Sequence, residues 1–273
     1  MMFKRDKIPL FWWSEIHLTK KQTENYGDLI GKYLVEKISN REVIWVHPRR
    51  RGLKYRFRKV YLTAGSILTH VHGNCVVWGS GIISREYKIN KAVFLAVRGP
   101  QSRKLLLEQG YNVPEIYGDP ALLLPRFYKP VVPKVYKMGI IPHYVDYNFV
   151  VEQYQNQPDI LIIDLMTNDV ETVTNLIISC LTIVSSSLHG IIVSHAYYIP
   201  AVWVQFSNKI FGDGVKYQDY YESVGLVCPE PLFLSELISK NQLLTLFENV
   251  MLPNPDTLKM MQDQLMECCP FNN

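Results

Sequence analysis

The sequence predicts an α/β protein of two doubly wound domains with a cleft between them, and three observations carry that prediction. Short runs rich in Val and Ile recur along the 273 residues, segments of helical period separate them, and one proline-rich break divides the chain into similar halves. The runs lie at residues 42–46, 74–78, 92–97, 138–141, 159–164, 182–185 and 201–205. They are only four to six residues long and mostly apolar, the pattern of parallel strands buried on both faces. Between them, residues 28–38 gather Leu29, Ile30, Tyr33, Leu34 and Ile38 on one helical face. Residues 101–109 do the same for Leu105, Leu106 and Gln109, and residues 170–181 for Val173, Leu176 and Ile177. The break is LPRFYKPVVP at 124–133, whose three prolines interrupt regular structure. It sets the expected domains at 1–128 and 129–273, with a helical segment at 253–269 expected to pack back across the first. No internal repeat is visible in the residues.

Composition narrows the class. With 48% hydrophobic and 20% charged residues the chain can bury a full core. It holds no run of eighteen apolar residues, so no membrane-spanning helix is expected. The opening MMFKRDKIPLFWWSEIH lacks the apolar core and cleavage site of a secretory signal, so a cytoplasmic protein is expected. Cys75, Cys180, Cys228, Cys268 and Cys269 are odd in number and lack C-x-x-C spacing, which predicts reduced thiols. His70 and His72 have no nearby carboxylate, and no metal site is expected. Charge is localised. Arg49, Arg50, Arg51, Lys54, Arg56, Arg58 and Lys59 fall within eleven residues, and without them acids outnumber bases. This stripe, interleaved with Tyr55 and Phe57, reads as a solvated loop, a nucleic-acid patch or a patch for an anionic membrane. No nucleic-acid-binding module accompanies it.

In open α/β sheets ligands bind beyond the carboxyl ends of the strands, so polar residues after each run are the candidates. Val184-Ser-Ser-Ser-Leu-His-Gly190 ends a strand and opens a helix. Its hydroxyls and the free N–H groups of the helix start make an anion cradle or a simple cap, and His189 in the first turn could hold an anion or move a proton. Asn25-Tyr-Gly-Asp28 precedes the first helix, with Gly27 for a turn, Asp28 for a cap and Asn25 for a substrate hydroxyl. Trp78-Gly-Ser-Gly81 follows a strand but lacks the third glycine of a dinucleotide fingerprint, and there is no P-loop. Val97-Arg-Gly-Pro-Gln-Ser102 offers the Arg98 fork to a carboxylate or phosphate, or to solvent. His143 stands where a cleft-facing histidine would. Tyr117-Gly-Asp-Pro-Ala121 reads as a structural turn.

Taken in order, NYGD, WGSGI, VRGPQS, YGDPALL, IIPHY and SSSLHGIIVSHAYYIP resemble the polysaccharide pyruvyl transferase family, from about residue 25 to 204. The resemblance implies two Rossmann-like domains in a GT-B-like arrangement. It implies transfer of pyruvate from phosphoenolpyruvate to two hydroxyls of a sugar, forming a cyclic ketal and releasing phosphate, with no cofactor. The sugar is expected on a lipid-linked polysaccharide precursor, with galactose the first guess. On this reading His189 is general acid or phosphate ligand. Arg98, His143, Ser185, Ser186, Ser187, Leu188 and Gly190 bind the donor, and Asn25, Asp28 and Ser80 bind the acceptor. The basic stripe holds the acceptor diphosphate or the anionic membrane, not nucleic acid. Some family members carry Arg two residues before the motif His; here that place is Ser187, so the anion contact is either missing or supplied by Arg85, Arg98 or Arg103. The alternatives are a nucleotide-sugar glycosyltransferase of the same architecture and a non-catalytic anion- or glycan-binding protein.

Overall fold

A computed structural model describes residues 7–50, 52–234 and 239–272. Two parallel five-stranded sheets form its frame. The first comprises β1 (Ile8–Phe11), β2 (Val43–Trp45), β3 (Val60–Leu62), β4 (Cys75–Trp78) and β5 (Val93–Ala96) in the order β2-β1-β3-β4-β5. The second comprises β6 (Tyr136–Ile141), β7 (Ile160–Ile162), β8 (Cys180–Ser185), β9 (Ala201–Gln205) and β10 (Leu232–Phe233) in the order β10-β9-β8-β6-β7. Counted within its own half, each sheet has the strand order 2-1-3-4-5, a doubly wound, Rossmann-like pattern. The halves therefore repeat one topology that their residues do not reveal.

All seven expected strands are present. Three more are added, and each hid for a physical reason. β1 is central yet contains Pro9, which argues against a central strand. The backbone accommodates it: the Ile8 N–H donates to Glu42 O and Leu10 O accepts from the Val46 N–H, so Pro9 turns its nitrogen toward β3. Pairing with β3 begins only at Leu10 opposite Tyr61, and no ladder bond is lost there. β3 is three residues long and β10 only two, too short for a periodic signal. The expected helix at 170–181 ends earlier, at Ile178, and β8 starts at Cys180.

Six helices matter for the site: α1 (Tyr26–Ser39), α2 (Pro100–Glu108), α3 (Val170–Ile178), α4 (Leu188–Ala196), α5 (Val215–Ser223) and α6 (Pro255–Glu267). The halves share a core. Its largest apolar cluster joins Leu10, Ile30, Leu34 and Trp78 to Ile141, Ile183, Ile191 and Ile192 through Leu122, Leu123 and Leu124. Separate clusters cover the outer face of each sheet. A two-stranded antiparallel ribbon, Glu24–Asn25 with Met166–Thr167, crosses from one half to the other. Beside it the Tyr26 N–H donates to Leu165 O at 2.7 Å, and Tyr26 Oη lies 2.8 Å from Thr174 Oγ1. α6 lies on the first half, where Trp78 Nε1 donates to Leu265 O and Phe271 packs edge-on against Tyr61. Among the described residues no disulfide is formed. Among the described residues no helix is long and apolar enough to cross a membrane.

Candidate active site

In the 2-1-3-4-5 order the winding direction reverses between a half's first and third strands, which opens a crevice beyond their carboxyl ends. Here the crevices of the two sheets face one another around a cavity of about 740 Å³. The loops after all four strands line it. Trp13 and Glu15 follow β1, Gly65 to Ile67 follow β3, His143 to Val145 follow β6, and Ser187 to His189 follow β8. The first turn of α1 adds Asn25 and Asp28, and α5 adds Lys216.

His189 is buried at the start of α4, and its position depends on Gly27. A Cβ at Gly27 would lie 2.1 Å from His189 Nδ1, so the glycine serves this close approach and not a turn. The cap of α1 is Asn25, whose Oδ1 accepts from the Gly27 N–H at 3.0 Å, and not Asp28. His189 Nε2 lies 3.5 Å from Asp119 Oδ2, an ion-pair distance without hydrogen-bond alignment. Asp119 is fully buried. Burial alone would raise its carboxyl, but His189, the Ala121 N–H and the Arg98 charge outweigh it and hold the carboxyl below its ordinary value. The turn at Tyr117 to Ala121, expected to be structural, therefore supplies a site residue. Its spacing gave no sign of that, because the contact runs to a residue seventy positions later.

Asp28 faces the cavity, and burial pushes its carboxyl up to about 7, with His189 and Lys216 opposing and Glu15 and Glu24 adding. Lys216 also faces the cavity. Burial pushes its ammonium down to about 8, the Arg98 charge lowers it further and Asp28 opposes. Burial, reinforced by Lys216 and Lys21 and opposed by Glu15, brings His143 down to about 4, so it is neutral at pH 7. No motif marked Lys216, since α5 reads as an ordinary polar helix.

The expected residues separate into lining and support. His189, His143, Ser187, Leu188, Asn25, Asp28 and Arg49 line the cavity. Ser187 is the residue before α4, and its hydroxyl makes no capping bond. The other serines are engaged elsewhere. Ser185 Oγ sits between the carbonyls of Ile141 and Ser187 and accepts the Ser187 N–H, and Ser186 Oγ accepts the His143 N–H. Gly190 lets α4 close on β8, where a Cβ would come 2.4 Å from Ser185 Oγ. Ser80 is buried and donates to Thr63 O.

Arg98, expected in the cleft, is 0% exposed and lies behind the cavity wall. Its Nε donates to Asp219 Oδ2 at 3.0 Å, one terminal nitrogen to Ser66 Oγ at 2.6 Å and the other to Ile82 O at 2.7 Å. Gly81 makes room, since a Cβ there would be 2.3 Å from the guanidinium carbon. Ser102 closes the network by donating from its N–H and hydroxyl to Asp219. The RGPQS and GSG motifs thus build a buried junction to α5. Arg85 pairs with Asp213, and Arg103 binds Val113 O and lies 3.9 Å from Glu115; neither lines the cavity.

The basic stripe divides as well. Arg49 reaches the cavity and donates to Thr69 O. Arg50, Lys54 and Arg56 are exposed beyond it. Arg58 and Lys59 lie at the opposite edge of the first sheet, beside Lys7 and Arg41. Arg51 lies outside the described residues. Among the described residues no group of three or more His, Cys, Asp or Glu is placed to hold a metal.

The profile of the polysaccharide pyruvyl transferase family matches residues 25–208, the span that carries His189, Asp119, Asp28 and Arg98. A protein of Acanthamoeba polyphaga mimivirus described as uncharacterized protein L143 is 34% identical over 233 residues, covering 82% of this chain and 79% of the viral one. The buried junction gives a stability prediction. Arg98→Ala removes the ion partner of the buried Asp219 and lowers the unfolding free energy by about 3–5 kcal/mol, read from chemical denaturation. A midpoint within experimental scatter of wild type would show that the pair carries no such weight.

Proposed function

This chain belongs to the polysaccharide pyruvyl transferase family, enzymes that transfer pyruvyl groups, and from that premise we propose that it moves pyruvate from phosphoenolpyruvate onto two hydroxyls of a sugar, galactose first among candidates, and releases phosphate. The observation that carries the proposal is the cavity at the paired crevices, where the uncapped start of α4, with His189 backed by the buried Asp119, shares the lining with Lys216. Phosphoenolpyruvate presents a carboxylate and a phosphate, and the floor of this cavity presents what both need. The N–H groups opening α4 carry the positive end of a helix dipole. Ser187 adds a hydroxyl, and Lys216 adds an ammonium that is largely charged at pH 7.

Lys216 answers the question left by Ser187. Where relatives carry Arg before the motif His, this chain has a short hydroxyl, and the cation comes from α5 on the same cavity. Asp119 stays ionised and orients His189, which binds the departing phosphate and hands it a proton. The aromatic residues Trp13 and Tyr144 line the wall, where a sugar ring can lie against them.

The acceptor is proposed to be lipid-linked. Lys54 and Arg56 stand beside Leu53, 87% exposed, and Phe57, 83% exposed, a mixture suited to an anionic membrane surface. Arg49, at the cavity, is the stripe residue placed to meet an acceptor diphosphate.

Three measurements test these assignments. Wild type should release phosphate from phosphoenolpyruvate only when a suitable galactoside is present, and His189→Ala should lower that rate about 10²–10⁴-fold. No release with any sugar of a broad panel would refute the donor. Lys216→Ala should raise the KM for phosphoenolpyruvate about 10- to 100-fold, the weight of a hydrogen bond to a charged group. Adding Ser187→Arg should recover much of that loss, and an unchanged KM in Lys216→Ala would remove Lys216 from the donor site. Replacing Leu53, Lys54, Arg56 and Phe57 with Ser should reduce sedimentation with anionic vesicles and leave turnover on a soluble acceptor intact. Equal loss in both assays would reject the membrane role.

A further inference from the structure

Two carboxylates flank Gly65, and their surroundings set them apart. The Gly65 N–H points to Asp119 Oδ2 at 3.5 Å, while a Cβ on Gly65 would come 3.3 Å from Asp28 Oδ1. Gly65 also has φ +104°, a left-handed backbone that favours glycine, so the loop after β3 is shaped to pass between the two acids. Asp119 is sealed from the cavity and held by the Ala121 N–H and His189. Asp28 opens onto the cavity, and among the described residues no hydrogen bond or ion pair within 4 Å holds its carboxyl. The charged groups that act on it are His189, Glu15, Glu24 and Lys216. A pair of acids whose environments drive their proton affinities apart marks an assignment of acid and base.

Resting on phosphoenolpyruvate as donor, we infer that Asp28 is a catalytic residue that protonates C3 of the enol and then takes the proton of the first attacking sugar hydroxyl. The reaction needs one group able to do both. The Asp28 carboxyl gives its proton to C3, the C2–C3 π bond supplies the electron pair, and C2 becomes an oxocarbenium centre. A sugar hydroxyl oxygen bonds to C2 and its proton returns to the Asp28 carboxylate. The C2–O bond to phosphate then breaks, the second hydroxyl oxygen bonds to C2, and its proton leaves with the phosphate through His189. Two hydroxyl protons are lost, one appears on C3 and one on phosphate, and no further reactant is required. A carboxyl near pH 7 in its proton affinity is matched to giving and regaining a proton in one turnover. Asp119, held ionised, has no proton to give.

The test uses the whole chain in deuterium oxide, with phosphoenolpyruvate and a galactoside lacking one of the two reacting hydroxyls, so that addition to C2 can reverse but the ketal cannot close. Wild type should wash deuterium into C3 of recovered phosphoenolpyruvate, seen by NMR. Asp28→Asn should slow that exchange at least 100-fold while binding phosphoenolpyruvate, measured by calorimetry, within about threefold of wild type. Asp28→Glu should restore part of the exchange. Undiminished exchange in Asp28→Asn, or loss of donor binding in step with exchange, would overturn the assignment. A wild type that releases no phosphate with any complete acceptor would instead bring down the donor reading, and this inference with it.

Discussion

His189 can stand beside Asp119 only because residue 27 has no side chain, and the site is built around that contact. A methyl group on Gly27 would come within 2.1 Å of the imidazole, so α1 and α4 approach as closely as a missing Cβ allows. That approach brings the start of α1, with Asn25 and Asp28, to the start of α4, with Ser187 and His189. The two helices come from different halves, and each begins at the carboxyl edge of a sheet. Fixing one against the other aligns the two crevices into a single cavity. The shared core of Leu122 to Leu124 and the ribbon at Glu24–Asn25 also join the two halves.

Charge is sorted by depth around this contact. Behind the wall, Arg98 and Asp219 neutralise one another with Ser66, Ser102 and Ile82 completing their hydrogen bonds. Such a pair adds little net stability but tolerates no missing partner. Asp219 takes up the Arg98 charge, and Lys216, three residues earlier on α5, faces the cavity. Asp28 shares that space and stays unpaired. The buried junction thus reaches the cavity wall through Ser66 alone, while Arg98 and Asp219 stay behind it.

The basic stripe shows how a parallel sheet distributes a sequence feature. It connects β2 to β3, so it must travel from the carboxyl edge of the sheet back to the amino edge. Arg49 reaches the cavity, Lys54 and Arg56 stand in solvent with Leu53 and Phe57, and Arg58 and Lys59 meet Lys7 and Arg41 on the far side. One run of like charge in the sequence becomes three environments in space.

The order of short apolar runs and helical segments was enough to give the fold class and seven of the ten strands of the two five-stranded sheets, while the family came from the ordered motifs running from NYGD to SSSLHG. His143, Ser187 and His189 line the cavity because the carboxyl ends of parallel strands are legible as the residues that follow each run, and Asn25 and Asp28 join them from the motif that opens the first helix. The sequence could not show which polar residues point into the cavity and which close hydrogen bonds beneath it. Arg98, Ser80, Ser185 and Ser186 end or follow strands as their neighbours do, yet their partners include a carboxylate 121 positions away and backbone groups of other strands and loops. Lys216 and Asp119 lay outside every motif read as functional and became site residues only when α5 and the turn before Pro120 folded against the cleft. Local pattern fixes the type and edge of each element because backbone periodicity is local. Partnership and proton affinity belong to the tertiary structure because burial and opposing charge come from residues distant in the chain.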